Sequence, residues 1–509
     1  MMKPLPYKEQ WAHLRQEGYS SEELTRLARR IAYSFLDSYL KDCSYEQEYI
    51  DLLCDMTAFS EEGAPGAAAQ ALFGIIVERL CDEFEELQTL TYNRVMAQVI
   101  SFCRRLPAGE ALDQELRAFD IDSFDALMDR MQRVRANGSS FSPGKGVKKI
   151  VLLSRVTIGA DVAITSVIIQ RLKQIFPQAK LVLLGEGKLT EIFGPDAGVT
   201  IREVAYERKG GVLERLSTWL QVLETVRREE RDCPPENMIL VDPDSRYSQL
   251  GVLPIVPLQQ YLFFDSRSQS AYNRKMSMAE YVNHWLGTVF GDEAVCYPKV
   301  WISRRNSELA ARFRDRLRQC GARRLVVMNF GVGGNLRKRV GTAFEEKMLL
   351  ALLKEPGTVV FLDKGAGGVE ASGSEALLQV VKASGYPVAH APSDWLDWLN
   401  SQEDAVVSNG VIGVETTIGE IGGLISVADE FIGYDSACQH IAAALGTPCV
   451  TVFAGSNNMR FIRRWSAFGR NSCRIVHVDT LTDPVSIDPD DITARVMHAR
   501  GFHRFLLTR

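Results

Sequence analysis

Apolar residues recur at helical spacing through the first 136 residues, as at Leu72, Ile75, Ile76, Leu80, Phe84 and Leu87, and no strand-like run interrupts them. The pattern predicts an all-helical region over 1–136. It stops at Asn137-Gly138-Ser139-Ser140-Phe141-Ser142-Pro143-Gly144-Lys145-Gly146, whose composition is that of an exposed linker, and 137–148 is read as one. From Lys149 the texture changes to short continuous apolar runs alternating with amphipathic helices, the pattern of parallel strands buried on both faces. Ile150-Val151-Leu152-Leu153, a helix ending near Phe176-Pro177, and Leu181-Val182-Leu183-Leu184 form one βαβ unit. Met238-Ile239-Leu240-Val241 and Tyr261-Leu262-Phe263-Phe264 continue the series, and an Arg-rich helix at about 303–319 closes it.

A second series opens at Arg324-Leu325-Val326-Val327-Met328-Asn329-Phe330. It continues with Thr358-Val359-Val360-Phe361-Leu362, Glu430-Phe431-Ile432-Gly433 and Cys449-Val450-Thr451-Val452-Phe453. The expected fold is therefore α/β, with two doubly wound, Rossmann-like domains over 149–320 and 321–509 behind a helical domain. Two such domains in one chain imply a ligand in the cleft between them, at the carboxyl ends of the strands.

Composition narrows the function classes. A chain of 509 residues with 46% hydrophobic content is globular and too long for one core. Its net charge of -5 argues against nucleic acid as a partner. No apolar run approaches the roughly 18 residues that span a bilayer, which leaves peripheral contact as the expected mode of any membrane association. Ten cysteines without a Cys-x-x-Cys pair fit reduced thiols, and the start lacks the apolar core of a signal peptide, so a cytoplasmic protein is expected.

Three segments carry candidate chemistry. Glu430 to Phe453 reads strand, polar turn, short helix, Gly446-Thr447-Pro448 stop, strand, with Ser436 placed to cap the helix. The free amides of its first turn make an anion site, to which His440 adds a donor; a capped helix with a satisfied histidine is the alternative. Asn329-Phe330-Gly331-Val332-Gly333-Gly334-Asn335-Leu336-Arg337-Lys338-Arg339 follows the strand opening the second domain. Its glycines admit backbone amides to an anion and its cations neutralise a diphosphate without a metal; a solvated basic loop has the same composition. Ser154-Arg155-Val156-Thr157-Ile158-Gly159-Ala160-Asp161 follows the first strand of the first domain, and an aspartate there is first of all a helix N-cap.

The run Asp435-Ser436-Ala437-Cys438-Gln439-His440-Ile441-Ala442-Ala443-Ala444-Leu445-Gly446-Thr447-Pro448, preceded by Thr416-Thr417-Ile418-Gly419-Glu420-Ile421-Gly422-Gly423-Leu424-Ile425, resembles the signature of the lipopolysaccharide heptosyltransferases. The resemblance covers roughly 149–500, is strongest over 412–453, and leaves 1–140 outside. It implies a GT-B glycosyltransferase without a cofactor or metal. Nucleotide sugar, with ADP-heptose among the donors, would be bound by Asp435, Ser436, Ala437 and His440 and by Lys338, with Arg337 its near alternative and Gly331 in the same loop. Asp161 would be the base that deprotonates the acceptor hydroxyl of a glycan, a lipid-linked sugar or a protein. Ala160 and Ala437 replace family glycines, and Ala454-Gly455-Ser456 replaces the usual Gly-Pro-Thr.

Two rival readings remain open. Asp242-Pro243-Asp244 resembles the Asp-x-Asp that holds a cation in metal-dependent glycosyltransferases, although Asp-Pro-Asp-Ser also reads as a turn, and Asp242, Arg246 and Tyr247 would then line the acceptor side. A catalytically silent sugar-nucleotide sensor, whose helical domain binds a protein partner, is the other. The family resemblance also implies an acidic residue after the strand at 358–362 that contacts the donor sugar, for which Glu370 is the nearby candidate, and Trp395 and Trp398 read as packing.

Overall fold

A computed structural model describes residues 3–507 except 43, 60–63, 82–83, 138–145, 208–209, 269–274, 366–367 and 392–406. Most of the linker segment, together with Trp395 and Trp398, lies outside the described residues. The N-terminal region is helical, with helices at Pro4–Glu17, Ser21–Asp42, Gln47–Ala58, Ala64–Cys81 (a wider π turn at Leu72–Val77), Glu86–Cys103, Glu110–Ala118 and Phe124–Asn137. The periodicity running through Phe84 and Leu87 does not mark one helix. Phe84 has φ 55°, which ends helical geometry, and Leu87 is exposed at the start of the next helix.

Twelve strands are described, in two sheets. The first contains β1 (Lys149–Leu153), β2 (Lys180–Gly185), β3 (Thr200–Glu203), β4 (Met238–Asp242) and β5 (Tyr261–Phe263), in the order β3-β2-β1-β4-β5. The second contains β6 (Arg324–Asn329), β7 (Thr358–Asp363), β8 (Val388–Ala391), β9 (Gly410–Val414), β10 (Glu430–Tyr434), β11 (Cys449–Phe453) and β12 (Cys473–His477), in the order β12-β11-β10-β6-β7-β9-β8. Every pairing is parallel. In the first sheet the chain runs outward from β1 to β3 and then crosses to β4; in the second it passes through β7 to the edge strand β8, returns to β9 and then crosses to β10. The switch points therefore lie between β1 and β4 and between β6 and β10, where ligands bind in open α/β sheets.

Alternation along the buried strands decides what each face covers. Ile150, Leu152, Leu181 and Leu183 face a cluster that continues through Phe193 and Val300 into Leu325, Val327 and Phe361 of the second domain. Val151, Leu153, Val182 and Leu184 face the opposite way, into one continuous cluster with the N-terminal helices, including Leu53, Leu72, Val95 and Val134. The helices thus form one layer over the first sheet and share its core. Polar ties reinforce the layer. Buried Arg130 donates to the carbonyls of Gly251 and, at 3.2 Å, Val252, and sits 5.2 Å from the Tyr261 ring; Arg135 pairs with Asp265 at 2.7 Å.

The two α/β domains also touch. Glu191 accepts from the Gly419 amide at 2.8 Å, so a carboxylate of the first domain meets the N-terminus of helix Ile418–Val427 in the second. A Cβ on Gly422 would lie 2.6 Å from Ile302, which fixes a small residue where this helix meets the interdomain segment.

Deleting residues 1–145 is expected to expose the Val151, Leu153, Val182 and Leu184 face, since each such side chain loses roughly 1.5–3 kcal/mol of burial. The truncated chain should aggregate or bind a hydrophobic dye on expression. A monomeric, dye-silent fragment with a cooperative melt would show that the helices are dispensable to the fold.

Candidate functional site

The loop after β1 is organised by one carboxylate. The following helix begins at Ile158 with Thr157 at its N-cap position, so Asp161 lies inside the helical segment and is not its cap. Instead its side chain reaches back. It accepts from the Arg155 amide, the Ser154 hydroxyl and the Thr165 hydroxyl, each at 2.7 Å, while Ser154 Oγ accepts from the Val156 amide at 2.8 Å. Val156 is thereby held at φ 72°, an unfavourable conformation for a β-branched residue. Asp161 is wholly buried, and burial, only partly offset by these donors, pushes its carboxyl up to about 6.

Arg155 crosses the switch point of the first sheet. Its guanidinium donates to the Pro243 carbonyl at 2.7 Å and to Asp244 O at 2.5 Å, and Ser245 Oγ donates to Ser154 O at 2.5 Å. The Asp-Pro-Asp segment is the turn its composition suggests. Asp242 accepts from the Ser245 amide at 2.7 Å and from Tyr261 Oη at 2.5 Å, while Asp244, at φ 64°, accepts from Ser266 at 2.6 Å and pairs with Arg267 at 3.2 Å. Both carboxylates are buried and serve separate networks, and burial pushes Asp242 up to about 6. Among the described residues no group of three or more His, Cys, Asp and Glu is arranged to hold a metal. Tyr247 donates to Val204 O at 2.6 Å, and the Arg246 charge acts on Tyr92 of the helical layer.

In the second domain the loops after β6 and β10 face each other across its switch point. Lys338, in the short turn Leu336–Lys338, pairs with Asp435 at 2.6 Å, and its ammonium lies 5.6 Å from the Phe461 ring. Asp435 also accepts from Gln439 at 2.6 Å. Ser436 occupies the N-cap position of helix Ala437–Leu445 but makes no capping bond, and its buried Oγ has no partner. Gly331 donates its amide to Asn329 at 3.1 Å; Gly333 and Gly334, at φ 60° and 85°, keep the loop open, and Arg337 is exposed on it. His440 is buried, and burial with the nearby Lys338 charge pushes its imidazole down to about 4, so it is neutral at pH 7.

The two signature turns meet. A Cβ on Gly159 would lie 3.2 Å from both Ala437 Cα and the His440 ring, which brings the Asp161 turn directly against the first turn of the second domain's anion-site helix. Sequence reasoning placed Asn329 at the head of the Gly-rich loop but missed its partner Asp363. Asn329 and Asp363 end the adjacent strands β6 and β7 and bond at 2.6 Å, with Asp363 also accepting from the Gly365 amide at 3.0 Å. Asp363 borders a recess with Phe330, Gly331, Arg339 and Ser374. The available signal was a polar residue at the carboxyl end of each of two buried strands. Glu370 falls in the helix Gly368–Ala383 that follows.

Residues 403–477 match the family model for glycosyltransferase family 9 (heptosyltransferase). This stretch of the second α/β domain is heptosyltransferase-like. A 52-residue stretch is 46% identical to lipopolysaccharide heptosyltransferase 3 of Escherichia coli, a match spanning 10% of this chain and 15% of that protein. Among solved structures, glycosyl transferase family 9 from Veillonella parvula DSM 2008 aligns over 70% of this chain and 97% of its own, with 14% identity and a TM-score of 0.48. E. coli ADP-heptose lps heptosyltransferase II aligns over 69% and 98%, with 14% identity and a TM-score of 0.43. The family match includes the turn at 435–440 and leaves Asp161, Lys338 and the helical layer outside it.

The buried Asp161 carboxyl sets a pH signature. Between pH 3.8 and about 6 the folded protein holds a proton that the unfolded chain has released, so acidification favours the fold. Asp161→Asn keeps the shape without the titration. From pH 7.5 to 5 the melting temperature of wild type is expected to gain on that of the variant, by the equivalent of about 1.4 kcal/mol. His440 and Asp242 titrate in both proteins and cancel in the comparison. A pH-independent difference would place the Asp161 carboxyl in its ordinary range.

Proposed function

We propose that this chain transfers a sugar from a nucleotide-sugar donor to an acceptor hydroxyl by a single inverting displacement that needs no metal, with ADP-heptose the first donor to test. The meeting of the Asp161 turn with the helix start at 437–440 carries this reading, because it sets a carboxylate-bearing loop of one domain against an anion-binding element of the other. The donor diphosphate takes the amides of the 437–440 turn, the Ser436 hydroxyl and Lys338. Lys338 exchanges part of its pairing with Asp435 for a phosphate oxygen, and neutral His440 donates one N–H. Arg337 and the Gly331 loop close over the phosphates, and these donors stabilise the leaving diphosphate. The Asp242 turn and Arg246 support the acceptor side. The acceptor is a glycan, a lipid-linked sugar or a protein, the reaction is cytoplasmic, and the helical layer contributes to acceptor or partner recognition.

Asp161 is the proposed base. A carboxyl near 6 is better matched to proton abstraction at neutral pH than an ordinary aspartate. A second reading has its own support: zero exposure and three hydrogen bonds suit a carboxylate that only shapes the Ser154–Val156 loop. Turnover by Asp161→Asn separates them. A base predicts a loss of about 10²–10⁴ with donor affinity kept, and a loop organiser predicts a small change.

Release of nucleoside diphosphate from a panel of nucleotide sugars, followed with and without EDTA, tests the whole reading. Turnover should persist in EDTA. Lys338→Ala should weaken donor binding about 10- to 100-fold, the scale of a lost charge-assisted hydrogen bond. No turnover with any donor despite tight binding would favour the sensor, and rescue of an EDTA-silenced enzyme by Mn²⁺ or Mg²⁺ would favour a metal-dependent mechanism.

A further inference from the structure

Two consecutive residues at the end of β10 hold the segment that carries Lys338. Asp435 takes the Lys338 ammonium at 2.6 Å. Tyr434, one residue earlier, accepts from the Val340 amide at 3.1 Å, and the Gly341 amide acts on the same hydroxyl. That hydroxyl gives its one proton to Glu345 at 3.0 Å, and Glu345 is paired with Arg339, whose Nε donates to it at 2.9 Å. Tyr434 and Glu345 are both wholly buried. Burial, with the Glu345 charge beside it, pushes the phenol well above its usual range, so the proton stays on Tyr434.

The other side of the segment is closed by backbone. A Cβ on Gly455, at φ 74°, would lie 2.3 Å from the Arg337 carbonyl oxygen and 3.1 Å from the Lys338 nitrogen, so the loop after β11 lies directly against this turn. The turn itself has only short-range bonds, from Lys338 N to Asn335 O at 3.0 Å and from Arg339 N to Leu336 O at 3.1 Å, and such turns are weak by themselves. The two holds from β10 differ in one respect. An anion arriving at Lys338 displaces Asp435 but leaves the Tyr434 bond to Val340 in place. Two residues span at most about 7 Å of chain, so a fixed Val340 limits how far Lys338 can move.

We propose that Tyr434 is a positioning residue: its hydroxyl, backed by Glu345 and Arg339, keeps Lys338 aimed at the 435–437 turn while the ammonium exchanges Asp435 for a phosphate oxygen. The hold on the segment stands on this geometry, and its consequence for a nucleotide rests on the donor reading above.

Tyr434→Phe tests it, because the variant keeps the ring packed 5.6 Å from Phe330 and 6.3 Å from Phe344, between centroids, and removes only the hydroxyl. The first readout needs no nucleotide. It is the rate at which an amine-reactive ester acylates Lys338, followed by peptide mass spectrometry, with the carboxylate-paired Lys188 of the first domain as internal reference. Lys338 should react about 2- to 10-fold faster in the variant, the range set by one lost hydrogen bond, with Lys188 unchanged. A tyrosine that only packs predicts a lower melting temperature with the Lys338 rate unmoved, and that result would overturn the proposal. The second readout is ADP affinity in a double-mutant cycle. Tyr434→Phe should weaken ADP about 2- to 10-fold in the wild-type background and add nothing to Lys338→Ala, whereas losses that multiply would show that the hydroxyl does not act through Lys338. If wild type binds no ADP, the donor reading falls and the acylation rates alone decide the positioning claim. Should Tyr434→Phe not fold, Glu345→Gln takes its place, with faster acylation of Lys338 expected and an unchanged rate counting against the proposal.

Discussion

The arrangement rests on one close approach. Gly159 has no side chain, and the space a methyl group would need is taken by Ala437 and His440, so the loop that follows β1 in one domain packs directly on the helix start that follows β10 in the other. Both elements stand at the switch points of their sheets, where parallel strands deliver loops and helix N-termini together. The contact sets a loop of one sheet against a helix start of the other, beside the apolar cluster that the two domains share. It also explains His440: packed under Gly159 and near Lys338, it is held neutral and presents a donor without adding a charge.

Around that contact the loops are stiffened by buried charge. Asp161, Asp242 and Asp244 each accept several hydrogen bonds, and Arg155 ties two of their loops together. Such networks are favourable only when complete, which gives the helical layer a structural reason to exist. Arg130 lies over Tyr261, the donor to Asp242, and Arg267, the partner of Asp244, lies 4.8 Å from the Tyr92 ring. The helices therefore cover an apolar sheet face and complete the charge balance beneath the first domain's loops.

Much of this was legible in the chain. Strands with continuous Val, Ile and Leu were found because burial on both faces leaves no polar position, and the 435–440 turn because a helix start after a strand is a local feature. The strands that escaped lacked that signature. β3 and β12 are edge strands with exposed polar residues such as Arg202 and Arg474, while β9, Gly410-Val411-Ile412-Gly413-Val414, is central but glycine-broken. Its glycines answer to packing, since a Cβ at Gly410 would fall 2.2 Å from Pro387 O and one at Gly413 2.7 Å from Leu378. What spacing could not give was contact between distant segments: the Asn329–Asp363 bond, the approach of Gly159 to Ala437 and His440, and the core shared by helices and first sheet. A composition break at 137–146 records a change of secondary structure, and separability has to be read from which surfaces are covered.

The central claim is that nucleotide phosphates are held where the two turns meet. Amide hydrogen exchange with and without ADP tests it most directly, because a phosphate bound at a helix start protects the amides it engages. The account predicts slowed exchange at Ala437–Gln439 and across 331–338, with a smaller effect in the 157–161 turn packed against them. Protection confined to the Asp242–Arg246 turn, with 437–439 unchanged, would contradict it.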